Sequence, residues 1–376
     1  MRMSCRGSGS QPGWPGAASR SRRLAAFRLA RAAACLALAL ALAASLTGAC
    51  LTGASAEDRN TGLKPVSIGF VRHAYGTWTA KIADGSFEMA TGRTLRWQPY
   101  DTDSAIAAAM AGGRLDIGLI GSSVAAAAYA RGLDLKIFFV MGGSAESEGM
   151  VLHGDFAFRV GDPKSLSSKV VAVPFGSTPH FRLLQSLRRW GTTVGSVRLV
   201  NLQTPQIAEA WHRGELDAAV VSEPLLGRLK QTGRLVPLSG GGSYDGLMVL
   251  AGVAEFVAEN VVFLARFVDI ITRADTAFAQ MSGPLNEARA DVRSISFLTG
   301  LQPAEVIAAI ARYRPPRLEE QATAHWLGGG AAATLAAELK ANAEVWRWGG
   351  RFDRAEPDFA PAITVEPVAR ALEFQR

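Results

Sequence analysis

Four short polar turns have the composition of anion-binding sites, because each follows a hydrophobic stretch and opens a helical pattern. They are Gly121-Ser122-Ser123, Ser177-Thr178-Pro179-His180, Gln203-Thr204-Pro205 and Ser222-Glu223-Pro224. The first N–H groups of a helix are unpaired and lie at the positive end of the helix dipole, so with nearby hydroxyls they can hold an oxyanion without a lysine. Plain helix capping is the alternative for each turn. Four such turns at one sheet edge favour anion binding.

Two carboxylates are candidates for pairing with an amine. Glu148 and Asp245 lie in two similar segments, SEGMVLHGD (147–155) and YDGLMVLAG (244–252), in which an acid and a glycine precede an apolar Met-Val-Leu run. We predict that these segments are crossing strands that form a hinge between two lobes, with both acids at the cleft base. A solvated loop position is the alternative for each acid.

A catalytic site is less well supported than a binding site. His180 is able to donate a hydrogen bond to an anion or to act as a general base. Ser177 beside it does not lie in the strained G-x-S-x-G turn of a nucleophile elbow. The five histidines never stand at a metal-ligand spacing such as H-x-x-x-H, and all three cysteines lie at or before Cys50. We therefore expect no metal, no other cofactor and no catalysis.

Strand and helix patterns alternate along the chain and define the elements that position these residues. Strand-like runs such as PVSIGFV, LDIGLIG and KVVAVPF precede helix-like runs such as TDSAIAAAMAGG and TPHFRLLQSLRRWG. This alternation predicts an α/β fold with mostly parallel sheets. The segments GGRLDIGLIGSS (112–123) and RGELDAAVVSEP (213–224) resemble each other and indicate two similar lobes. Ligands bind beyond the carboxyl ends of parallel strands, so the polar turns are expected to meet in the cleft between the lobes.

The predicted organisation has four parts. Residues 1–56 form a signal peptide, 65–153 the first part of lobe 1, 154–247 lobe 2, and 248–376 a return to lobe 1 followed by C-terminal helices. The segment TWTAKIADGSFEMATG is predicted to be one helix with Gly92 at its C-cap. The C-terminal segment from Phe352 onward is Pro-rich and is predicted to be irregular.

The segment before Glu57 differs in composition from the rest of the chain. It contains seven arginines and no acid, then the apolar run AAACLALALALAASLTG and the small-residue pattern ASA at 54–56. This arrangement predicts a secretory signal peptide, cleavage near Ala56 and a periplasmic protein. A retained membrane anchor and lipid attachment at Cys50 are the alternatives. The remaining chain has 33 basic and 33 acidic residues and no basic stripe, which argues against a nucleic-acid partner.

The chain from about residue 66 to 250 resembles the periplasmic taurine-binding components of ABC importers, within the sulfonate and nitrate branch of solute-binding proteins. The resemblance is carried by LDIGLIGSS, SEGMVLHGD, AVPFGSTPHFRLLQSLRRWG, VNLQTPQIAEAWHRGELDAA and YDGLMVLAG. It implies a type II periplasmic-binding-protein (venus flytrap) fold, in which two α/β lobes with a hinge and a helical C-terminal extension close on a small sulfonate or zwitterion. It also implies an ABC permease and its ATPase as partners. We expect a monomer.

Carried over by position, the resemblance implies two groups of ligand-binding residues. On the sulfonate side are Ser122, Ser123, Ser177, Thr178, His180 and Gln203, and on the ammonium side are Glu148 and Asp245. Where taurine binders typically read Val-Trp-Ala-Pro, this chain reads Val221-Ser222-Glu223-Pro224. A large aromatic residue is missing and Glu223 is added as a second candidate partner for an amine. Nitrate, an aliphatic sulfonate, an amino acid, or a cysteine-independent enzyme on the same fold remain alternatives.

Overall fold

Two five-stranded sheets organise the part of the chain that the computed structural model describes, which comprises residues 63–71, 76–143, 147–154, 156–160, 162–238, 246–280, 284–352 and 357–376. The predicted signal peptide and Asp245 lie outside these residues. The strands are β1 (Val66–Val71), β2 (Leu95–Tyr100), β3 (Ile117–Gly121), β4 (Leu135–Gly143), β5 (Glu148–His153), β6 (Val170–Val173), β7 (Arg198–Asn201), β8 (Ala218–Ser222), β9 (Gly233–Val236) and β10 (Leu247–Val253).

Helices of very different length connect and cover the sheets. They are α1 (Ala80–Ala83), α2 (Ser86–Thr91), α3 (Asp103–Ala111), α4 (Ser122–Ala130), α5 (Thr178–Arg189), α6 (Thr204–His212), α7 (Leu225–Leu229), α8 (Ala254–Glu259), α9 (Val261–Ala279), α10 (Ala290–Thr299), α11 (Pro303–Arg312), α12 (Leu318–Gln321), α13 (Thr334–Trp348) and α14 (Glu366–Glu373). Within the described ranges, no single helix is long and apolar enough to cross a membrane. The helices α10 and α11, which are bent relative to each other, reach the required length and apolar composition only when taken together.

The two sheets share one plan. The first has the strand order β2-β1-β3-β10-β4 and the second the order β7-β6-β8-β5-β9. In each, one strand, β10 in the first sheet and β5 in the second, is antiparallel to both its neighbours and lies between three parallel strands and a fifth strand at the edge. Strand β3 is buried along its whole length, which explains why its sequence is a continuous apolar run rather than an alternating one.

The segments predicted to cross between lobes contain β5 and β10, but the boundaries differ from the prediction. The predicted first part of lobe 1 ends at His153. In the structure, β5 pairs with β8 and β9 of the second sheet, so the crossing falls between Gly143 and Glu148. The return falls before Leu247, because β10 pairs with β3 and β4 of the first sheet.

Two local predictions were wrong. The single helix predicted over TWTAKIADGSFEMATG is divided into α1 and α2, because Gly85 between them adopts a left-handed conformation with φ of 69°. The C-terminal residues predicted to be irregular include α14, which begins at a proline-containing turn and buries Val368 and Ala371. Proline in its first turn is compatible with a helix start.

Each sheet has its own hydrophobic core, and α9 and α13 extend the first. In the first lobe Phe87, Trp97 and Phe267 pack together, with ring centroids 5.3 Å and 5.9 Å apart for the Trp97 pairs. In the second lobe, Leu183 and Leu187 of α5 are fully buried among the residues of the sheet. These cores hold the strand ends and helix starts that surround the candidate site.

Candidate functional site

A cavity of about 380 Å³ lies between the carboxyl ends of strands from both sheets and the helix α11. We call it the interlobe cleft. Its polar lining residues are Asp101, Thr102, Asp103, Ser147, Glu148, Ser177, Thr178, Thr204, Ser222, Glu223, Arg228, Gln231, Glu305 and Arg312. The starts of α3, α5 and α6 all contribute to this lining, as expected for a site at the carboxyl edge of parallel strands.

The start of α5 reaches the cleft, but its hydroxyl groups are already engaged. Ser177 is the N-cap: its Oγ accepts a hydrogen bond from His180 N at 3.3 Å and donates one to Pro174 O at 2.6 Å. The Thr178 hydroxyl donates to Asp103 Oδ2 at 2.8 Å. Both side chains therefore serve the turn and the contact between the lobes, and neither hydroxyl proton is free for a ligand oxygen.

Asp103 is the carboxylate that occupies this helix start. It is the first residue of α3, follows the N-cap Thr102, and is only 6% exposed. Its Oδ1 is buried and has no hydrogen-bond partner among the residues that the structure describes. Burial raises the pKa of Asp103 to about 6, against the opposing hydrogen bonds from Thr178 and the Gly121 backbone. No basic side chain forms an ion pair with it among the residues described.

Glu148 lies at the start of β5, opposite Ser222 of β8, and is 9% exposed. Its Oε2 lies 3.7 Å from Arg182 Nε and makes no hydrogen bond. Burial is the main reason that the pKa of Glu148 rises to about 8; Arg182 and the Ser222 hydrogen bond lower it, and the charge of Asp103 raises it. Two buried carboxyl groups, each with one oxygen that makes no hydrogen bond within the described ranges, thus belong to the cleft lining.

Glu223 also lines the cleft, and its carboxylate is held by three groups. Oε2 accepts a hydrogen bond from Gly227 N at 2.7 Å, which links it to the first turns of α7. Oε1 lies 3.3 Å from Lys230 Nζ and 3.8 Å from Arg312 Nη2. The capping and cleft-facing roles considered for this acid therefore coincide in one side chain.

Two arginines supply positive charge to the same wall. Arg228 forms a two-pronged ion pair with Glu305, from Nε at 3.2 Å and from Nη2 at 3.0 Å. Among the described residues, Arg312 at the end of α11 has only the long contact with Glu223, and its buried Nε has no hydrogen-bond partner. Arg312 therefore retains a donor that a ligand anion is able to use.

The start of α4, unlike that of α5, is absent from the cleft lining. Ser122 and Ser123 are both nearly fully buried against α13. Asn342 Nδ2 lies 3.5 Å from Ser122 Oγ, and Trp346 Nε1 donates to Ser123 O at 2.9 Å. The structure places these two serines in the packing between α4 and α13, so we leave them out of the ligand-contacting set proposed below.

His180 is fully buried behind the turn rather than in the cleft lining. Gly176 N donates to its Nδ1 at 3.0 Å, and Arg351 Nη2 lies 3.2 Å from its Nε2. Its ring stacks on Phe175 at 4.7 Å. Burial, aided by Arg351, lowers the pKa of His180 to about 3, so the imidazole is neutral near pH 7. This environment fits a structural histidine that positions the turn.

Gln203 is the N-cap of α6, and its backbone N–H donates to Gln206 Oε1 at 2.9 Å. It is not among the cleft-lining residues, whereas its neighbour Thr204 is. Of the predicted site residues, the structure thus brings together Glu148, Ser177, Thr178 and Glu223. Asp245 lies outside the described residues.

Sequence reasoning did not place Asp103 and Arg312 in the cleft lining, where the structure has both. Asp103 belongs to the helix-like run TDSAIAAAMAGG, and an acid in the first turn of a helix is common, so nothing local marks it as a site residue. Arg312 is far from the polar turns in sequence, and nothing local distinguishes it from other helix-end arginines. Across the described ranges, no group of three or more His, Cys, Asp or Glu side chains is arranged to hold a metal ion.

Comparison with known proteins finds relatives of this chain among periplasmic binding proteins. The taurine-binding periplasmic protein of Escherichia coli (strain K12) is 36% identical over 159 residues, which cover 42% of this chain and 48% of that protein. The chain spans about half the length of the curated relatives it matches. No family model matches it. The predicted resemblance to taurine-binding periplasmic proteins is thus confirmed over part of the chain.

Solved structures match over a greater length. The alkanesulfonate-binding protein of Xanthomonas axonopodis pv. citri, bound to MOPS, has a TM-score of 0.62 and 19% identity, and the match covers 84% of this chain and 99% of that one. The periplasmic aliphatic sulphonate binding protein of Escherichia coli has a TM-score of 0.63 and 17% identity, over 80% and 92%. The fold is that of the periplasmic binding proteins, with two α/β lobes, as predicted.

Proposed function

We propose that this chain is the substrate-binding component of an ABC importer, which binds taurine or a related small sulfonate in the interlobe cleft and delivers it to a membrane permease and its ATPase. The observation that carries the proposal is the 36% identity with a taurine-binding periplasmic protein over 159 residues. The proposal includes a periplasmic location and a monomeric state.

The composition of the cleft supports a zwitterionic ligand over a simple anion such as nitrate. Its described lining includes five acidic side chains, of which Glu148 has its pKa raised to about 8 by burial, and two guanidinium groups. The acids are Asp101, Asp103, Glu148, Glu223 and Glu305, and the guanidinium groups belong to Arg228 and Arg312. Such an acidic lining repels a small anion that carries no compensating positive charge. The volume of about 380 Å³ lies at the small end of the range for ligand sites.

The same geometry supports binding rather than catalysis. A serine nucleophile needs a neighbouring base to accept its proton. The Ser177 hydroxyl instead donates to Pro174 O, and His180 interacts through both ring nitrogens with Gly176 and Arg351. Neither side chain is placed to begin an acyl transfer.

Calorimetry and thermal melts of the exported protein with taurine, other small sulfonates, nitrate and amino acids test the proposal. We expect one sulfonate to bind with a stoichiometry of one; at 100 times its Kd it stabilises the fold by about 2.7 kcal/mol. Binding of nitrate or an amino acid but of no sulfonate contradicts the substrate class, and no binding at all contradicts the function.

A matched pair of variants on α11 tests the location. Ala308 lines the cleft and Ala311 is on the exposed face of the same helix. Ala308→Trp fills the cleft and is expected to abolish binding, whereas Ala311→Trp leaves the affinity unchanged. Equal affinity in both variants places the ligand elsewhere.

Mass spectrometry of protein recovered from the periplasm tests the location in the cell. The expected mass is that of a chain beginning near Glu57, directly after the ASA pattern. A chain that still begins at Met1, or one that begins at a lipid-modified Cys50, contradicts the soluble periplasmic form.

A further inference from the structure

The start of α5 is the position at which the sequence predicts the sulfonate, yet a carboxylate of the protein already lies there. Asp103 Oδ2 accepts a hydrogen bond from the Thr178 hydroxyl at 2.8 Å. A Cβ added to the neighbouring Gly121 would lie only 2.4 Å from that hydroxyl oxygen. The contact is therefore tightly enclosed. A ligand anion at this helix start would have to approach the Asp103 carboxylate closely, which Coulomb repulsion opposes.

The unpaired atoms of the cleft suggest the opposite orientation. Asp103 Oδ1 and Glu148 Oε2 are buried acceptors that receive no hydrogen bond from any residue the structure describes, and both side chains are at least nine-tenths buried. Glu148 has Arg182 at 3.7 Å, but Asp103 forms no ion pair within the described ranges. Leaving a buried carboxylate unpaired is strongly unfavourable, so this end of the cleft is suited to a cation with several N–H donors. A primary ammonium has three.

The opposite wall has an unpaired donor. Within the part of the chain that the structure describes, Arg312 Nε is buried without a hydrogen-bond partner, and its Nη2 has only a 3.8 Å contact with Glu223. The other cleft arginine, Arg228, is neutralised by Glu305. Arg312 is thus the group best able to bind a sulfonate or carboxylate, because its planar guanidinium donates parallel hydrogen bonds to two oxygens of such an anion.

We propose that the cleft selects zwitterions, with the ammonium bound between Asp103 and Glu148 and the anionic group bound toward Arg312, and that Asp103 is the residue that determines this preference. This inference rests on the proposed function and specifies its ligand class. It reverses the orientation expected from the sequence, in which the hydroxyls of Ser177 and Thr178 face the sulfonate. Burial raises the pKa of both carboxyls, and a cation bound between them would favour their charged forms.

Two pairs of probe ligands test the proposed ammonium site between Asp103 and Glu148. One member of each pair carries an amine that the other lacks: taurine is compared with isethionate, and β-alanine with propionate. Calorimetry at pH 8 compares the natural chain with Asp103→Asn, whose amide oxygen is still able to accept the Thr178 hydrogen bond. Loss of one charge-assisted hydrogen bond is expected to weaken the amine-bearing member by roughly 10- to 100-fold. The amine-free member is expected to change by less than about threefold. The control Asp134→Asn removes an exposed acid outside the cleft and is expected to alter neither.

The outcomes separate the two proposals. Equal losses for amine-bearing and amine-free sulfonates overturn the amine assignment and leave a sulfonate-binding protein. If β-alanine is the only probe that binds, and Asp103→Asn no longer binds it, the zwitterion assignment is supported and the sulfonate function is overturned. Binding of none of the four probes by the natural chain overturns both.

Arg312→Met tests the anionic half. We expect it to weaken every probe that the natural chain binds, with or without an amine, by a similar factor. Arg314→Met, which changes an exposed arginine two positions further on, is the matched control and is expected to have no effect. Unchanged affinity in Arg312→Met overturns the proposed orientation even where the Asp103 result supports the amine.

Discussion

The starts of α4 and α5 look alike in sequence and differ in the structure. Both follow a buried strand and open with small hydroxyl residues, Ser122-Ser123 in one and Ser177-Thr178 in the other. The first is enclosed by Asn342 and Trp346 of α13, and the second faces the cleft and binds Asp103. A polar helix start is therefore able to become part of a core or part of a site, depending on which distant segment packs against it.

The largest expected effect is on the α4 side. Trp346→Ala removes a side chain that is 2% exposed and the hydrogen bond to Ser123 O. It is expected to lower the unfolding free energy by about 3–5 kcal/mol, measured by urea denaturation, while the affinity of the folded protein changes by less than about threefold. Trp348→Ala, at a 37% exposed position of the same helix, is the control. A large loss of affinity without loss of stability would make the α4 start part of the site.

Gly121→Ala disturbs both helix starts, because Gly121 precedes Ser122 and its added Cβ would lie 2.4 Å from Thr178 Oγ1. The expected loss of stability is about 1–3 kcal/mol, and binding of an amine-bearing ligand weakens as well, since the Thr178–Asp103 contact is displaced. Gly195→Ala, whose Cβ would meet nothing within 4 Å, is the matched control. Stability and affinity equal to those of the natural chain would show that the two lobes do not meet closely here.

The pH dependence of the unfolding free energy distinguishes the cleft, which contains buried acids, from the uncharged start of α4. The pKa of Glu148 is raised to about 8 in the folded state, so the folded protein retains a proton that the unfolded chain releases near pH 4.5. Its stabilising contribution is present at low pH and is lost as pH rises toward 8. The unfolding free energy is expected to fall between pH 7 and 8 by up to about 1.4 kcal/mol per pH unit and to level off above that range.

Glu148→Gln is expected to flatten that slope. The charged groups near Glu148 are Arg182 and Asp103; the pKa of Asp103 is raised to about 6, so Asp103 has titrated largely below this range. The lowered pKa of His180 makes the unfolding free energy rise with pH, which is the opposite sign. That change falls below pH 7, because the unfolded chain loses this proton near pH 6.5. An equal slope in Glu148→Gln and in the natural chain would contradict the protonated, buried Glu148.

Thr178→Val tests the α5 start with little change of shape. It removes the hydroxyl donor of the Asp103 carboxylate and is expected to cost about 1–2 kcal/mol of stability in urea denaturation. Amine-bearing ligands are expected to bind more weakly, because Asp103 loses the contact that positions it. Unchanged stability and affinity together would mean that the Thr178–Asp103 bond contributes nothing.

Ser123→Ala is the corresponding change at α4 and has the smallest expected effect. The Ser123 hydroxyl oxygen is buried without a hydrogen-bond partner, so its removal relieves an unsatisfied polar group. Stability is expected to stay within about 0.5 kcal/mol of the natural chain or to rise slightly, with unchanged affinity. A clear loss of affinity would return Ser123 to the ligand-binding set implied by the resemblance.

Sequence patterns predicted the elements around the cleft better than the contacts across it. The strand KVVAVPF, the turn GSTP and the following helix are present as β6, the Ser177 cap and α5, because hydrophobic periodicity and proline in a first turn are local signals. The helix divided at Gly85 shows the limit of such signals. A glycine with a left-handed conformation is able to end one helix and begin the next, and periodicity alone does not reveal this.

By itself, the sequence determined the alternation of strands and helices, the two α/β lobes, and the polar turns at the carboxyl ends of the strands. Only the tertiary structure decided which turns meet in the cleft and which acid lies among them. Asp103 and Thr178 are 75 residues apart, and Arg312 belongs to a C-terminal helix that is distant from both turns in sequence. The physical reason is that capping and periodicity depend on neighbours within a few residues, whereas burial, unpaired oxygens and charge repulsion depend on which distant segments fold together.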